Sequence, residues 1–363
     1  MKKIPLFKPF IPPKKIIYKH FDNVLNSNKI SHGEYVYKFE NLFSKFVNNK
    51  YCVSYNSGSS ALFAALKILD IGHGDEVITC PLTAEPTSLS ISMCGAKVVW
   101  ADIMKDNVLV DPYSIMEKIT KKTKAVIVVH YSGLVADMKL IRKICSENKI
   151  HLIEDCAHSL GSKYDKKFLG NFNNLSIFSF QAIKHITTLD GGMICCHNKK
   201  LYERLMNFRW FGLSRFKSRK NNNIKENGFK FELNNYNSAL GYVQMQYAKK
   251  IVNEYANNGK YFLNNITDRE DFKLCRPLEN TSPSFWMMSA FTKNRSKLIK
   301  KLKNNGIESG AVHKRNDSHE FFKKSKVKLP VLDQHYDSLI HFPSGWWLSK
   351  KDKILITEII NSF

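Results

Sequence analysis

The sequence lacks any apolar run long enough to cross a membrane, and lysine and proline interrupt its first residues where a secretory signal would have an apolar core. Its eight cysteines include no Cys-x-x-Cys pair and occur at irregular spacing. Such spacing disfavours both a disulfide framework and a zinc site. We therefore expect reduced thiols, no bound metal, no membrane association and a cytoplasmic location.

Acidic residues are scarce, because 32 Asp and Glu stand against 56 Lys and Arg and give a formal net charge of +24. A strongly basic surface attracts phosphate-bearing partners such as nucleic acids. However, the lysines are spread along the whole chain, and no nucleic-acid-binding motif accompanies them. We expect a solvated basic surface and no nucleic-acid partner.

Short β-branched runs alternate with helical periodicity between residues 52 and 196. This alternation is typical of an α/β fold with a mostly parallel sheet between two layers of helices. Apolar residues at intervals of three and four predict helices over residues 59–69, 111–119 and 138–147. The predicted strands are residues 76–80, 97–101, 125–130, 151–154, 176–180 and 193–196.

The C-terminal part of the chain has a different pattern. A polar, non-periodic stretch at 215–227 predicts a long loop, and a helix is expected from 235 to about 261. A strand over 285–292 and helices over 296–304 and from 350 onward then predict a compact α+β domain. Because 363 residues exceed the usual size of one core, we divide the chain into a large domain, 1–245, and a small C-terminal domain, 246–363. Residues 1–25 are expected to pack on the small domain.

Residues that can carry chemistry fall at the carboxyl ends of the predicted strands, where open parallel sheets bind ligands. Asp155 follows one strand, Ser179 lies in the next, and Lys184 comes just after it. Ser59 and Ser60 open a predicted helix, whose free N–H groups and dipole favour a phosphate. The same serines are also typical of an ordinary helix cap.

Lys184 lies between a predicted buried strand and the turn at 190–192. Burial there would lower the pKa of its amine and free it for Schiff-base chemistry. Asp155 has two interpretations. It is either a cap of the next helix or the partner of a pyridinium nitrogen, whose protonated state makes a cofactor ring an electron sink.

Five runs of residues resemble the sugar aminotransferases of the DegT/DnrJ/EryC1/StrS group. That resemblance implies the aspartate aminotransferase fold (fold type I), with a three-layer large domain that binds pyridoxal 5'-phosphate and a smaller α+β C-terminal domain. The runs are NSGSSAL at 56–62, GDEVI at 74–78, EDCAH at 154–158, FSFQAIK at 178–184 and TTLDGG at 187–192.

The resemblance also implies roles for single residues. Lys184 would bind pyridoxal 5'-phosphate covalently, and the cofactor would alternate with pyridoxamine 5'-phosphate. Asp155 would pair with its ring nitrogen, and His158 would lie near its phenolic oxygen. The residues implied to hold the phosphate are Ser59, Ser60 and Ser179.

Other positions concern the neighbouring subunit and the substrate. Lys230 matches a family position that reaches the phosphate of the partner chain, which implies a homodimer with shared sites. His313 matches a substrate-facing histidine, and the basic residues after it, Arg315 above all, are expected to bind a phosphate of the acceptor. Ala84 stands where many members have an aromatic residue against the ring, so that stacking must come from elsewhere, with His158 as one candidate.

The implied reaction moves an amino group from glutamate to the keto group of a phosphate-bearing, sugar-type acceptor. The favoured acceptor is a nucleotide-linked keto-deoxysugar for a surface polysaccharide such as capsule or lipopolysaccharide. A small phosphorylated ketone such as dihydroxyacetone phosphate is the alternative substrate. Two alternatives of other classes are a sugar dehydratase using the same cofactor, in which histidine replaces the lysine, and a non-catalytic binding protein.

Overall fold

A computed structural model describes residues 3–363 of the protein. Its strands, in chain order, are β1 (Cys52–Tyr55), β2 (Glu76–Thr79), β3 (Lys97–Trp100), β4 (Thr123–Val129), β5 (His151–Asp155), β6 (Lys163–Tyr164), β7 (Lys167–Phe168), β8 (Leu175–Ser179), β9 (Gly192–Cys195), β10 (Phe272–Leu274), β11 (Thr281–Ser282), β12 (Met288–Thr292) and β13 (Leu339–Phe342). The α-helices are α1 (Lys14–Asn26), α2 (Glu34–Val47), α3 (Gly58–Ile68), α4 (Glu85–Met93), α5 (Pro112–Glu117), α6 (Met138–Glu147), α7 (Lys199–Phe208), α8 (Asn235–Asn265), α9 (Arg295–Asn304), α10 (Pro330–His335) and α11 (Lys350–Asn361).

The central sheet has seven strands in the order β1-β9-β8-β5-β4-β2-β3. Strand β9 runs antiparallel to both of its neighbours, and the other pairs are parallel. Every residue of β2 is buried, as is β4 apart from Lys124, which fits strands covered on both faces. The expected α/β fold with a mostly parallel sheet is therefore confirmed, and each predicted strand overlaps an observed one.

The C-terminal part contains the antiparallel sheet β10-β12-β13. The predicted strand 285–292 starts only at Met288, because Phe285 has a φ of 47° and turns the chain before the ladder begins. Helix α8 has 31 residues and spans about 45 Å. The predicted domain boundary at 245/246 falls inside this helix, which runs from the large domain to the small one without a break.

The N-terminal residues lie in two places. Ile4 pairs through its backbone with Gly306 and Glu308 of the small domain. Helix α1 instead packs on the first half of α8, where Ile17 meets Leu240. Met1 and Lys2 lie outside the described residues. Within residues 3–363, no helix is both long enough and apolar enough to span a bilayer.

A buried ion pair joins the edge of the sheet to two helices. Arg209, which follows α7, is 1% exposed and donates to the Glu40 carboxylate of α2 at 2.5 Å. The same guanidinium donates to the Ser54 carbonyl of β1 at 2.7 Å, and the Ser54 N–H donates to Glu40 at 2.9 Å. Removing one partner of such a pair leaves an uncompensated charge in the core.

Glu40→Gln should therefore lower the free energy of unfolding by about 3–5 kcal/mol. Urea unfolding at fixed protein concentration measures this change. Glu34→Gln in the same helix is the matched control, because its pair with Lys38 is exposed and should contribute less than about 1 kcal/mol. Equal, small effects of both substitutions would contradict a structural role for the buried pair.

Candidate functional site

A cavity of about 280 Å³ lies at the carboxyl ends of β4, β5 and β8, where the large domain meets the small one. A wider groove of about 540 Å³ lies at the opposite ends of β5 and β8 but contains none of the residues expected to act in the chemistry. The smaller cavity is therefore the candidate site. The expected site residues that line it are Ser59, Asp155, His158, Ser179, Lys184 and His313.

Lys184 reaches this cavity from the turn after β8. Its side chain is exposed only in part, and its Nζ lies 4.1 Å from the centre of the Trp286 ring. Desolvation by the surrounding protein lowers the pKa of the amine to about 8, although the Asp155 carboxylate opposes the shift. A fraction of the amine is thus neutral near pH 7, as a nucleophilic lysine requires.

Asp155 is the last residue of β5, and its carboxylate is buried beside the cavity. One oxygen accepts from the Thr87 hydroxyl at 2.8 Å and the other from the Ala157 N–H at 3.1 Å. Burial raises the pKa of this carboxyl, and both hydrogen bonds and Lys184 oppose the rise. The helix-cap interpretation is wrong, because the next element after Asp155 is strand β6 and not a helix.

Behind Asp155, Glu154 is fully buried and bonds to His130 at 3.2 Å and to Arg142 at 2.8 Å. His130, Glu154 and Cys156 lie close enough together to ligate a metal ion. The Arg142 charge already compensates the carboxylate, so the arrangement is that of a buried ion pair that supports the end of β5.

The start of α3 forms one end of the cavity. Gly58 and Ser59 line it, and a Cβ on Gly58 would lie 3.1 Å from the Ser179 Cβ, so a larger residue at 58 would crowd Ser179. The first N–H groups of a helix have no partner within it and favour an anion. Ser60 is placed differently from the expectation: its hydroxyl donates to Asn56 at 2.6 Å and completes the helix cap with Ser57.

Aromatic rings form the wall beside Lys184. His158 stacks on Trp286 with ring centres 4.1 Å apart and on His313 at 5.4 Å. Burial and the Lys184 charge hold the pKa of His158 well below its usual value, and they lower the pKa of His313 to about 3. Both imidazoles are therefore neutral, and the buried Nδ1 of His158 has no hydrogen-bond partner among the described residues.

Sequence reasoning missed Trp286 and Thr87. Trp286 fell inside a predicted strand, where a large apolar residue is ordinary, and Thr87 lies on α4, a helix that the sequence analysis did not predict. Ala84 does line the cavity, as the sequence suggested. The aromatic surface comes from His158 of the large domain and from Trp286 and His313 of the small domain.

Besides Ser60, two expected residues lie away from the cavity. Arg315 was expected to bind a phosphate of the acceptor, and the structure corrects this expectation. Its guanidinium donates to Asp317 at 2.6 and 2.7 Å and to Asp333 at 2.6 Å. Two carboxylates thus compensate its charge, and it does not line the site. Lys230 bonds to Glu232 at 3.0 Å and makes no contribution to the cavity of its own chain.

Comparisons with known proteins agree with this geometry. The profile of the DegT/DnrJ/EryC1/StrS aminotransferase family matches residues 14–361. The chain is 31% identical over 367 residues to GDP-perosamine synthase of Escherichia coli O157:H7, with 100% of this chain and 99% of that protein covered. It is 33% identical over 250 residues to the spore coat polysaccharide biosynthesis protein SpsC of Bacillus subtilis (strain 168), covering 67% of this chain and 64% of SpsC.

Among solved structures, the sugar aminotransferase CalS13 from Micromonospora echinospora has a TM-score of 0.95 and 29% identity, with 99% of both chains covered. The family match extends over the cavity and its surrounding elements. The chain belongs to the DegT/DnrJ/EryC1/StrS aminotransferase family and is a pyridoxal-phosphate-dependent aminotransferase.

Proposed function

We propose that this enzyme transfers an amino group from glutamate to a nucleotide-linked keto-deoxysugar used for a surface polysaccharide such as capsule or lipopolysaccharide. The observation that carries the proposal is the meeting of the Lys184 amine and the buried Asp155 carboxylate at one cavity between the domains. The sugar acceptor is supported by relatives named as a GDP-perosamine synthase and a spore coat polysaccharide biosynthesis protein.

The residues at the cavity fit pyridoxal phosphate. When bound, this cofactor supplies an aldehyde that takes up amines and a ring that withdraws electrons from the reacting carbon. Asp155 would hold the ring nitrogen, because its carboxylate keeps lone pairs beyond those used by Thr87 and Ala157. The start of α3, with Ser59 and Ser179, would hold the phosphate.

Lys184 would move the proton at the reacting carbon. A group whose pKa is about 8 can both release and accept a proton near neutral pH, which favours general acid–base catalysis. His158 and His313, both neutral, offer uncharged donors and acceptors at the wall of the cavity. His158 would face the phenolic oxygen of the cofactor, and His313 would face the acceptor.

Borohydride reduction of the purified holoenzyme should attach the cofactor to Lys184 alone. The reason is that this is the lysine whose amine faces the cavity and has a lowered pKa. Peptide mass mapping identifies the labelled residue. Lys184→Ala is the control and should carry no reduced cofactor, whereas a label on another lysine of the active wild type would refute the assignment.

Asp155→Asn should lower the rate of the glutamate half-reaction roughly a hundredfold or more, equivalent to about 2.7 kcal/mol, while most cofactor is retained. The amide can still hydrogen-bond to a ring nitrogen but cannot stabilise its proton. Stopped-flow rates and bound-cofactor content are compared. Asp337→Asn is the charge-matched control, because the Asp337 carboxylate is 92% exposed. Normal turnover by Asp155→Asn would mean that the Asp155 carboxylate has only a structural role.

We also propose a homodimer in which Lys230 completes the phosphate site of the partner subunit. Lys230 lies outside its own cavity, and the segment before it in sequence, residues 211–229, contains four exposed large apolar residues. Exposed apolar surface of this kind indicates an interaction face. These residues are Phe211, Phe216, Ile224 and Phe229.

Mixing Lys184→Ala subunits with Lys230→Ala subunits should restore about a quarter of the wild-type activity after full exchange. Half of the dimers would then be mixed, and each would contain one intact site. Two different affinity tags establish exchange, and glutamate-dependent turnover reports activity. If tagged mixed dimers form but stay inactive, each chain completes its own site.

A further inference from the structure

Trp286 links the wall of the cavity to residues far from it in sequence. Its indole lies against the Lys184 amine at 4.1 Å, and its Nε1 donates to the Ile183 carbonyl at 3.0 Å. The ring of Phe7 stacks on the same indole, with centres 4.4 Å apart and planes 19° apart. Phe7 thus touches the residue that touches the lysine, although it does not line the cavity itself.

Phe7 belongs to residues 3–10, which we call the N-terminal strap. The strap crosses the small domain and reaches α8. It is held by hydrogen bonds along most of its length. These run from Ile4 N to Gly306 O, from Glu308 N to Ile4 O, from Leu6 N to the Glu308 carboxylate, from Trp347 Nε1 to Pro5 O, from Trp346 Nε1 to Lys8 O and from Gln244 Nε2 to Phe10 O.

The backbone beneath Trp286 is also constrained. Phe285 has a φ of 47°, outside the ordinary range for a bulky residue, and its carbonyl accepts from the Ser344 hydroxyl at 2.6 Å. A Cβ on Gly259 of α8 would lie 2.3 Å from the Phe285 ring. The packing of Phe285 therefore fixes the backbone next to Trp286, and Phe7 of the N-terminal strap covers the surface of the indole ring.

We propose that Phe7 is a positioning residue for Lys184: by stacking on Trp286 it holds the indole against the amine and keeps water away from it. The inference rests on the role proposed above for Lys184 and extends it to the N-terminal strap. Loss of the Phe7 ring would leave a space beside the indole, which solvent can enter. Hydration of the ammonium form would then oppose the desolvation that lowers the lysine pKa.

A change in the pKa of Lys184 can be measured because the neighbouring titratable groups do not change charge over the same pH range. Asp155 on β5 is the carboxylate that faces Lys184, and it is buried and hydrogen-bonded. Burial lowers the pKa of His158, His185 and His313 below the usual value, so these imidazoles stay neutral between pH 6.5 and 10. A change in the titration of Lys184 over that range reports its hydration.

The experiment is pulse labelling of amines with acetic anhydride in the cofactor-free protein over a series of pH values, with the Lys184 peptide quantified by mass spectrometry. In the wild type, half-maximal labelling is expected near pH 8. In Phe7→Ala the midpoint should rise by about one pH unit, so labelling at pH 7 relative to its plateau falls about tenfold. Phe7→Tyr, which keeps the stacked ring, should retain the wild-type midpoint.

Phe10→Ala is the matched control. It removes the same side chain from the same strap, but Phe10 packs on Tyr247 and Trp346 rather than on Trp286. Its midpoint should stay at the wild-type value, and the circular dichroism spectrum of each variant shows whether the fold is intact. An unshifted midpoint in Phe7→Ala, or an equal shift in Phe10→Ala, would overturn the proposal.

Should Phe7→Ala fail to fold, Phe7→Leu repeats the measurement with a side chain that fills part of the space. A smaller upward shift is then expected, and no shift again overturns the proposal. Because labelling is done without cofactor or substrate, its outcome is independent of the borohydride mapping. A label elsewhere in that mapping would refute the role of Lys184 and leave the coupling of Phe7 to its amine standing.

Discussion

The site depends on one electrostatic constraint: a buried carboxylate and a largely desolvated amine line the same cavity. Asp155 ends a strand in the middle of the sheet, and Lys184 follows the neighbouring strand. Desolvation penalises the charge on each of them, and their mutual attraction compensates only in part. The same burial lowers the pKa of the lysine to about 8, while Thr87 and the Ala157 N–H hold the carboxylate at the cavity.

The surrounding fold serves this arrangement. Parallel pairing of β5 with β8 brings the two strand ends to one edge, and the Glu154 ion pair secures β5 from behind. The start of α3 adds N–H groups at the same edge. Trp286 and His313 of the small domain then close the cavity. The chain reaches that domain through the 31-residue helix α8.

Outside the cavity, the buried arginines of this basic chain are each compensated by carboxylates. Arg315 and Arg209 are largely buried, and each is paired with carboxylates. Removing charge from either pair would leave the other partner uncompensated. A high count of positive residues is therefore compatible with a cavity that, among the Lys and Arg residues of 3–363, only Lys184 lines.

The sequence alone determined six of the seven strands of the central sheet and three of its helices, α3, α5 and α6, because strand and helix periodicities are local and the strands of a parallel sheet are buried over nearly their whole length. It also determined the positions of Asp155 and Lys184, since strand ends are where such a sheet binds ligands. Only the tertiary structure decided which other side chains join them. Arg315 meets Asp333 across 18 positions and Phe7 meets Trp286 across most of the chain, and no local pattern encodes such pairings. Ser59 and Ser60 are neighbours in sequence, yet the turn of α3 directs one to the cavity and the other into the helix cap, because successive helical residues point about 100° apart.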